Sequence, residues 1–230
     1  MSIYTDPRLL QAGLVGGTLS RHHGNMREIS HQNSIYEGLH LPAQKILHFH
    51  QTHSDTLIHI SSAEQAQQIV AAPLQEADGW LFTTSGWGGA ILTADCVPLF
   101  LWDAQGRAFA LAHCGWRGVV KRLPFKTAQA LRQSCPNASV LGWIGPHIQA
   151  CCFEVQEDVA RQFNTPSVQE RKGKIFVNLN TEILLQLQEA GLDSTHIKTP
   201  YYCTCGDREN FFSWRRDHVR QGLLSFIYKP

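Results

Sequence analysis

Apolar residues recur along this chain with two different periods. Residues 90 to 103, AILTADCVPLFLWD, are apolar and β-branched enough for one buried strand; DAQGR follows as a turn, and RAFALAH (107 to 113) reads as the returning strand of a hairpin. Helical spacing appears in three places. Phe125, Ala128, Leu131 and Cys135 share one face behind Pro124, which suits a first helical turn. Val155, Val159 and Phe163 form a second stripe. Ile183, Leu184, Leu187 and Ala190 form a third, with Asn180 placed as N-cap and Gly191 as terminator. Short strands are predicted at Leu141 to Ile144, Ile175 to Val177 and Leu223 to Tyr228. This mixture predicts an α+β (mixed α/β) fold whose helices cover an antiparallel or mixed sheet. No repeat, Gly/Ser linker or charge run divides the chain, so residues 1–230 are expected to form a single domain.

Composition narrows the partners. Hydrophobic residues make up 43% of the 230, enough for a sizeable core. Twenty basic against nineteen acidic side chains leave a formal charge of +1, without the footprint of a nucleic-acid or polybasic membrane binder. A small or neutral partner is expected, on a monomer or weak homodimer. The start, MSIYTDPRLL, has no charged segment followed by an apolar one, and the apolar run near 97 to 102 is too short to span a bilayer. A cytoplasmic location is therefore expected, where the seven cysteines stay reduced and free to bind metal.

Candidate chemistry begins with HFHQTHSD (48 to 55), which places His48, His50 and His53 close together in a chain of 12 histidines. A two-residue loop at Ala104 and Gln105 would set Cys96 directly opposite His113, with Cβ atoms about 5 Å apart. A slip of two residues makes them diagonal neighbours on the same face, whereas a slip of one separates them. Taken singly, Cys96 reads as a core thiol and His113 as a hydrogen-bonded structural residue. Facing each other beside a third histidine, they read as the soft-thiolate and imidazole ligands of a zinc site with one position left for substrate or water. The flanking ILHFHQTHSDTLIHI alternates like a strand entering and leaving a turn, which favours His53 as the third ligand. Cys151-Cys152 and Cys203-x-Cys205 fit neither a zinc knuckle nor a C-x-x-C redox pair, so structural or substrate-lining roles are expected for them.

Five collinear stretches carry a resemblance: H-Q-T-H-S (50 to 54), T-A-D-C-V-P-L (93 to 99), A-H-C-G-W-R-G (112 to 118), I-G-P-H-I-Q-A-C-C-F-E-V (144 to 155) and F-F-S-W-R-R-D (211 to 217). Together they resemble the YfiH-like family, the laccase-domain family formerly called multicopper polyphenol oxidases, over residues 13 to 228. The resemblance implies a single-domain, four-layer αββα sandwich. It also implies a Zn2+ site of His53, Cys96 and His113, the residues that would carry catalysis. The implied reaction is purine nucleoside phosphorolysis: adenosine, inosine, guanosine or methylthioadenosine plus phosphate gives the base and a ribose 1-phosphate, with adenosine deamination as a second activity. The chain departs from the family pattern where LSRHHGNMREIS replaces an N-L-G segment, with Asn25 and Asn33 as stand-ins, and where Q-T-H-S replaces Q-V-H-G.

Further residues acquire expected roles from that chemistry. Arg117 lies in G-W-R-G, read as a Gly-bracketed turn ahead of a helix, where its guanidinium and nearby N–H groups could hold phosphate. Arg215 and Arg216 are further candidates for substrate. His50 could contact the base or support a ligand. Asp95, on the opposite strand face from Cys96, either supports a ligand or ends the strand. Rival readings use the same residues: a copper-dependent phenol oxidase with Cu2+ in the site, a non-catalytic metal-binding module, or a Cys-His hydrolase with Cys96 as nucleophile and His113 as base. Two methionines, Met1 and Met26, and a single H-x-H count against the oxidase. A three-ligand set counts against the module, since structural zinc sites are closed by four protein ligands.

Overall fold

The computed structural model describes residues 2–230, in which two sheets dominate. One has the order β1 (Ile3–Tyr4), β2 (Val15–Leu19), β14 (Leu223–Lys229), β6 (Trp87–Thr93) and β3 (Ile46–Leu47). The other runs β13 (Ile197–Lys198), β9 (Val140–Ile144), β7 (Val97–Asp103), β8 (Phe109–Cys114), β5 (Gly79–Phe82) and β4 (Leu57–Ile60). Both are mixed: their interior pairs are antiparallel, while β3–β6, β13–β9 and β4–β5 are parallel. A third, small sheet joins β10 (Glu154–Val155), β12 (Lys174–Val177) and β11 (Val168–Arg171).

Strand alternation assigns the layers. Trp80, Phe82, Phe100, Trp102, Phe109 and Leu111 leave one face of the six-stranded sheet and meet Ile91 and Ile227 of the five-stranded sheet in one core. Leu81, Leu99, Leu101, Ala110 and Ala112 leave the other face and pack on Leu123, Ala128 and Leu131 of α5 (Leu123–Ser134) and on Ile183 and Leu187 of α7 (Leu179–Glu189). The outer face of the five-stranded sheet, through Ala90, Leu224 and Phe226, packs on Tyr36 of α2 (Ile29–Gly38). Helix, sheet, sheet, helix is the αββα order the resemblance implies. The shorter helices are α1 (Pro7–Gln11), α3 (Ala63–Ala71), α4 (Trp116–Val120), α6 (Glu157–Ala160) and α8 (Trp214–Asp217). Each buried aromatic between the sheets contributes about 1.5–3 kcal/mol relative to exposure, and Phe82 stacks on Phe109 with centroids 5.0 Å apart.

Several local expectations require correction. Residues 90 to 103 do not form one strand: β6 ends at Thr93 in one sheet, the chain bends through Ala94, Asp95 and Cys96, and β7 begins at Val97 in the other. An apolar run cannot reveal such a crossover, because both strands are buried. The hairpin of β7 and β8 exists, but Pro98 rather than Cys96 opposes His113, so the longer-loop register holds. The stripe Val155 to Phe163 is a strand end followed by a four-residue helix. The cap of α7 is Asn178, whose side chain accepts from the Thr181 N–H at 3.2 Å; Asn180 lies inside the first turn. Gly191 does follow this helix, with φ +82.

Gly89 sets how closely the two sheets approach. A Cβ there would stand 2.4 Å from Cδ1 of the fully buried Trp80 in the facing sheet. Gly89→Ala is expected to lower stability by about 1–3 kcal/mol through overpacking, read as a lower urea midpoint at unchanged m-value.

Candidate metal centre

One end of the six-stranded sheet carries the chemistry. His113 sits near the end of β8, Cys96 immediately before β7, Asp78 immediately before β5, and His53 in the loop that leads to β4. A ligand atom from each of His53, Cys96 and His113 lies within 4.8 Å of the other two. The Cys96 Sγ is 3.7 Å from His53 Nε2, and the two imidazoles meet edge-on with centroids 4.9 Å apart. His113 is buried, while His53 and Cys96 are half-buried.

Two buried carboxylates shape this end, and both ligand-bearing turns use left-handed backbone that non-glycine residues seldom adopt: φ is +58 at His53 and +94 at Asp95. Asp78 holds the first turn. Its carboxylate accepts from the N–H groups of Thr52 (3.2 Å), His53 (3.1 Å) and Ser54 (2.6 Å), and from the Ser54 hydroxyl (2.7 Å). It also accepts from His113 Nδ1 at 2.7 Å. That bond fixes the orientation of the His113 ring and leaves Nε2 as the nitrogen that a metal would use on displacing its proton. Asp95 holds the second turn, accepting from the Thr204 hydroxyl (2.6 Å), the Ser213 hydroxyl (3.0 Å) and the Arg215 N–H (2.7 Å). Gln51 ties the histidine loop to β6 in both directions, donating to the Leu92 carbonyl at 2.8 Å and accepting from its N–H at 2.7 Å.

Electrostatics suits deprotonated sulfur. Burial alone would raise the Cys96 thiol, but the charges and hydrogen bonds of His113 and His53 outweigh it and lower its pKa to about 6. Burial would lower His113, yet the Cys96 thiolate and the Asp78 carboxylate raise it to about 9. Between those values the metal-free pair is thiolate and imidazolium. Asp78 itself is lowered: burial opposes ionisation, and hydrogen bonds from His113 and Ser54 overcome it. The donor set of one thiolate and two imidazoles is that of a three-ligand site for zinc or a related ion. Gly115 leaves room for it, since a Cβ there would stand 2.7 Å from His53 Cδ2 and 3.2 Å from Cys96 Sγ.

The remaining expected residues fall around this group. His50 is exposed, outside the three-atom cluster, with its backbone bridged to Glu76. Arg117 is within α4 rather than ahead of it; it is exposed, and its guanidinium lies 4.4 Å over the Trp116 ring. Arg215 donates to the carbonyls of Glu154 (2.7 Å) and Cys152 (3.4 Å) and lines a cleft of about 430 Å³ with Trp116, Phe153 and Val159. Arg216 is spent on Asp217 and on the carbonyls of Thr204, Cys205 and Phe211. Asp95 lies in the bend instead of on a strand face and supports the loops behind Cys96. Met26 is buried in the core under α2, and Met1 lies outside the described residues. Sequence reasoning missed Asp78, Gln51 and Arg27. Asp78 had one signal, a lone carboxylate between apolar Ala77 and the strand GWLF. Arg27 is within electrostatic reach of the same thiol: burial and Arg220 lower its pKa, and Cys96 opposes them.

Fold and site together define a mixed α/β sandwich with a His-Cys-His group at one sheet end that could hold a metal ion. The family model described as multi-copper polyphenol oxidoreductase laccase matches residues 18–228, and the chain belongs to that family. It is 30% identical over 190 residues to a Clostridium acetobutylicum protein named purine nucleoside phosphorylase, covering 78% of this chain and 75% of that one. It is also 30% identical over 191 residues to adenosine deaminase RL5 from an unknown prokaryotic organism, covering 78% and 73%. The crystal structure of YlmD from Geobacillus stearothermophilus shares the fold, with a TM-score of 0.86 over 97% of this chain and 94% of that one at 23% identity. Among the described residues, no helix is long and apolar enough to cross a membrane.

In metal-free protein, the thiolate absorbance that distinguishes wild type from Cys96→Ala is expected to appear as pH rises through about 6. A midpoint near the ordinary cysteine value of about 8.5 would contradict the ion pair.

Proposed function

We propose that this chain is a zinc-dependent purine nucleoside phosphorylase with adenosine deaminase activity. The observation that carries the reading is the His53–Cys96–His113 group, held by Asp78, with His113 three residues before Trp116 of the cleft. The names of the relatives, a phosphorylase and a deaminase, support it. His53, Cys96 and His113 would hold Zn2+, which when bound supplies Lewis-acid polarisation at the reacting end of the cleft. Cu2+ suits the same donors by affinity.

The chain's own residues supply binding and orientation. Trp116 and Phe153 offer flat apolar surface for a purine base. Arg117 takes the phosphate role over Arg215 and Arg216, because its guanidinium makes no hydrogen bond among the described residues, whereas theirs are committed to carbonyls. Arg27 adds positive charge on the same side as Cys96. Arg215 shapes the cleft wall through its bonds to Glu154 and Cys152, and its substrate contact is through the cleft it lines. His50, exposed three residues before His53, would meet the outer part of a substrate in this reading. Purine nucleosides and phosphate are thus the proposed partners, on a single-domain, monomeric or weakly dimeric, cytoplasmic protein.

The family's description favours a second reading, a copper-dependent phenol oxidase. Among the described residues one group of potential ligands contains imidazole, which gives that chemistry a single mononuclear site. A Cys-His hydrolase would use the lowered Cys96 thiol without metal, so metal analysis separates it.

The test incubates zinc-quantified protein with adenosine, with and without phosphate, and follows adenine, inosine and ribose 1-phosphate by chromatography. Adenine is expected to require phosphate, inosine to form without it, and Cys96→Ala to lose both by about 100-fold or more, beyond what altering a ligand's support costs. Arg117→Ala is expected to raise the phosphate KM by about 10- to 100-fold, the value of a charged hydrogen bond. No turnover of adenosine, inosine or guanosine by the zinc-loaded protein would overturn the phosphorylase reading.

A further inference from the structure

Away from the histidine-containing group, three thiols converge. Cys151 and Cys152 lie in the turn between β9 and β10, and Cys203 lies in the loop between β13 and α8. The Cys151 Sγ is 3.3 Å from Cys152 Sγ and 3.5 Å from Cys203 Sγ, and all three sulfurs lie within 4.8 Å of one another. All are free thiols. Their spacing in sequence gave no sign of this, because the backbone brings the two segments together: His147 N–H donates to the Tyr202 carbonyl at 3.2 Å, and Thr204 N–H to the His147 carbonyl at 3.0 Å.

Core packing does not account for the cluster. Cysteine used as a small hydrophobe is buried among carbon, whereas Cys151 is exposed and has two sulfurs as neighbours. Cys203, on the buried side, accepts a hydrogen bond from Gly206 N–H at 3.3 Å, the kind of donor that stabilises a thiolate. Three thiolates sharing one ion at about 2.3 Å stand about 3.8–4.0 Å from each other, a separation that the observed range brackets. The group holds no imidazole or carboxylate, and an all-sulfur donor set selects soft d10 ions. The exposed thiol leaves the ion a way in.

We propose that Cys151, Cys152 and Cys203 form a second metal site, a three-thiolate site for a thiophilic d10 cation, either Cu(I) or Zn(II). Binding breaks three S–H bonds, forms three metal–sulfur bonds and releases three protons to solvent, with no change of oxidation state. Three thiolates complete a trigonal site for Cu(I) and leave Zn(II) one further position. The site is not isolated from the first: Thr204, the residue after Cys203, donates to Asp95 beside Cys96.

The experiment loads the full-length, metal-free, reduced protein separately with Zn(II) and with Cu(I), then measures bound metal after desalting. Wild type is expected to retain two equivalents of at least one ion. Cys151→Ser, at an exposed position, and Cys203→Ser are expected to retain one, with loss of part of the sulfur-to-metal ultraviolet absorbance. Cys96→Ala is expected to keep the thiolate-cluster equivalent. Melting curves show whether Cys203→Ser folds, and the exposed Cys151→Ser decides if it does not. One equivalent of each ion in wild type that Cys151→Ser keeps, two that survive Cys151→Ser, or a Cys151–Cys203 disulfide that persists in reductant would each overturn the proposal.

Discussion

A fully buried carboxylate, Asp78, is the constraint on which the candidate centre depends. Burying a charge is costly unless every lone pair is used, and Asp78 uses its own on five donors. Three of those donors are consecutive backbone N–H groups of the histidine loop, so the carboxylate is what keeps His53 in left-handed backbone. The fifth is His113 on a different strand. One side chain therefore fixes two candidate ligands from separate parts of the chain, and removing an acceptor of this kind typically costs about 3–5 kcal/mol.

Asp95 repeats the device at smaller scale. The chain must leave one sheet at Thr93 and enter the other at Val97, and the bend that allows this carries Cys96. Asp95 holds the bend by hydrogen bonds to the loops around Thr204 and Ser213. The sheet crossover, which builds the sandwich, is thus also what presents the thiol. Fold and chemistry share these residues, and that sharing brings His53, Cys96 and His113 together at one sheet end.

Part of this was legible in the sequence. The helix over Leu123–Ser134 follows from periodicity, because its apolar residues face one core, and the strands β9, β12 and β14 follow from short apolar runs. Same-face reasoning on the hairpin brought Cys96 toward His113, and the turn in HFHQTHSD singled out His53. The crossover at Asp95 was hidden, since two buried strands in different sheets look like one apolar run. Asp78 was hidden because three of its five donors are backbone N–H groups, which no side-chain pattern advertises. The convergence of Cys203 on Cys151 was hidden for a similar reason: it depends on a backbone bridge between His147 and Cys203 across distant segments.

The most direct measurement is the zinc affinity of the His53–Cys96–His113 site with and without the Asp78 carboxylate, taken in a Cys151→Ser background. Asp78→Asn keeps the shape of the side chain but turns one acceptor into a donor facing backbone N–H. The account predicts a folded protein whose zinc affinity falls about 10- to 100-fold. A folded Asp78→Asn protein with undiminished zinc affinity would contradict it.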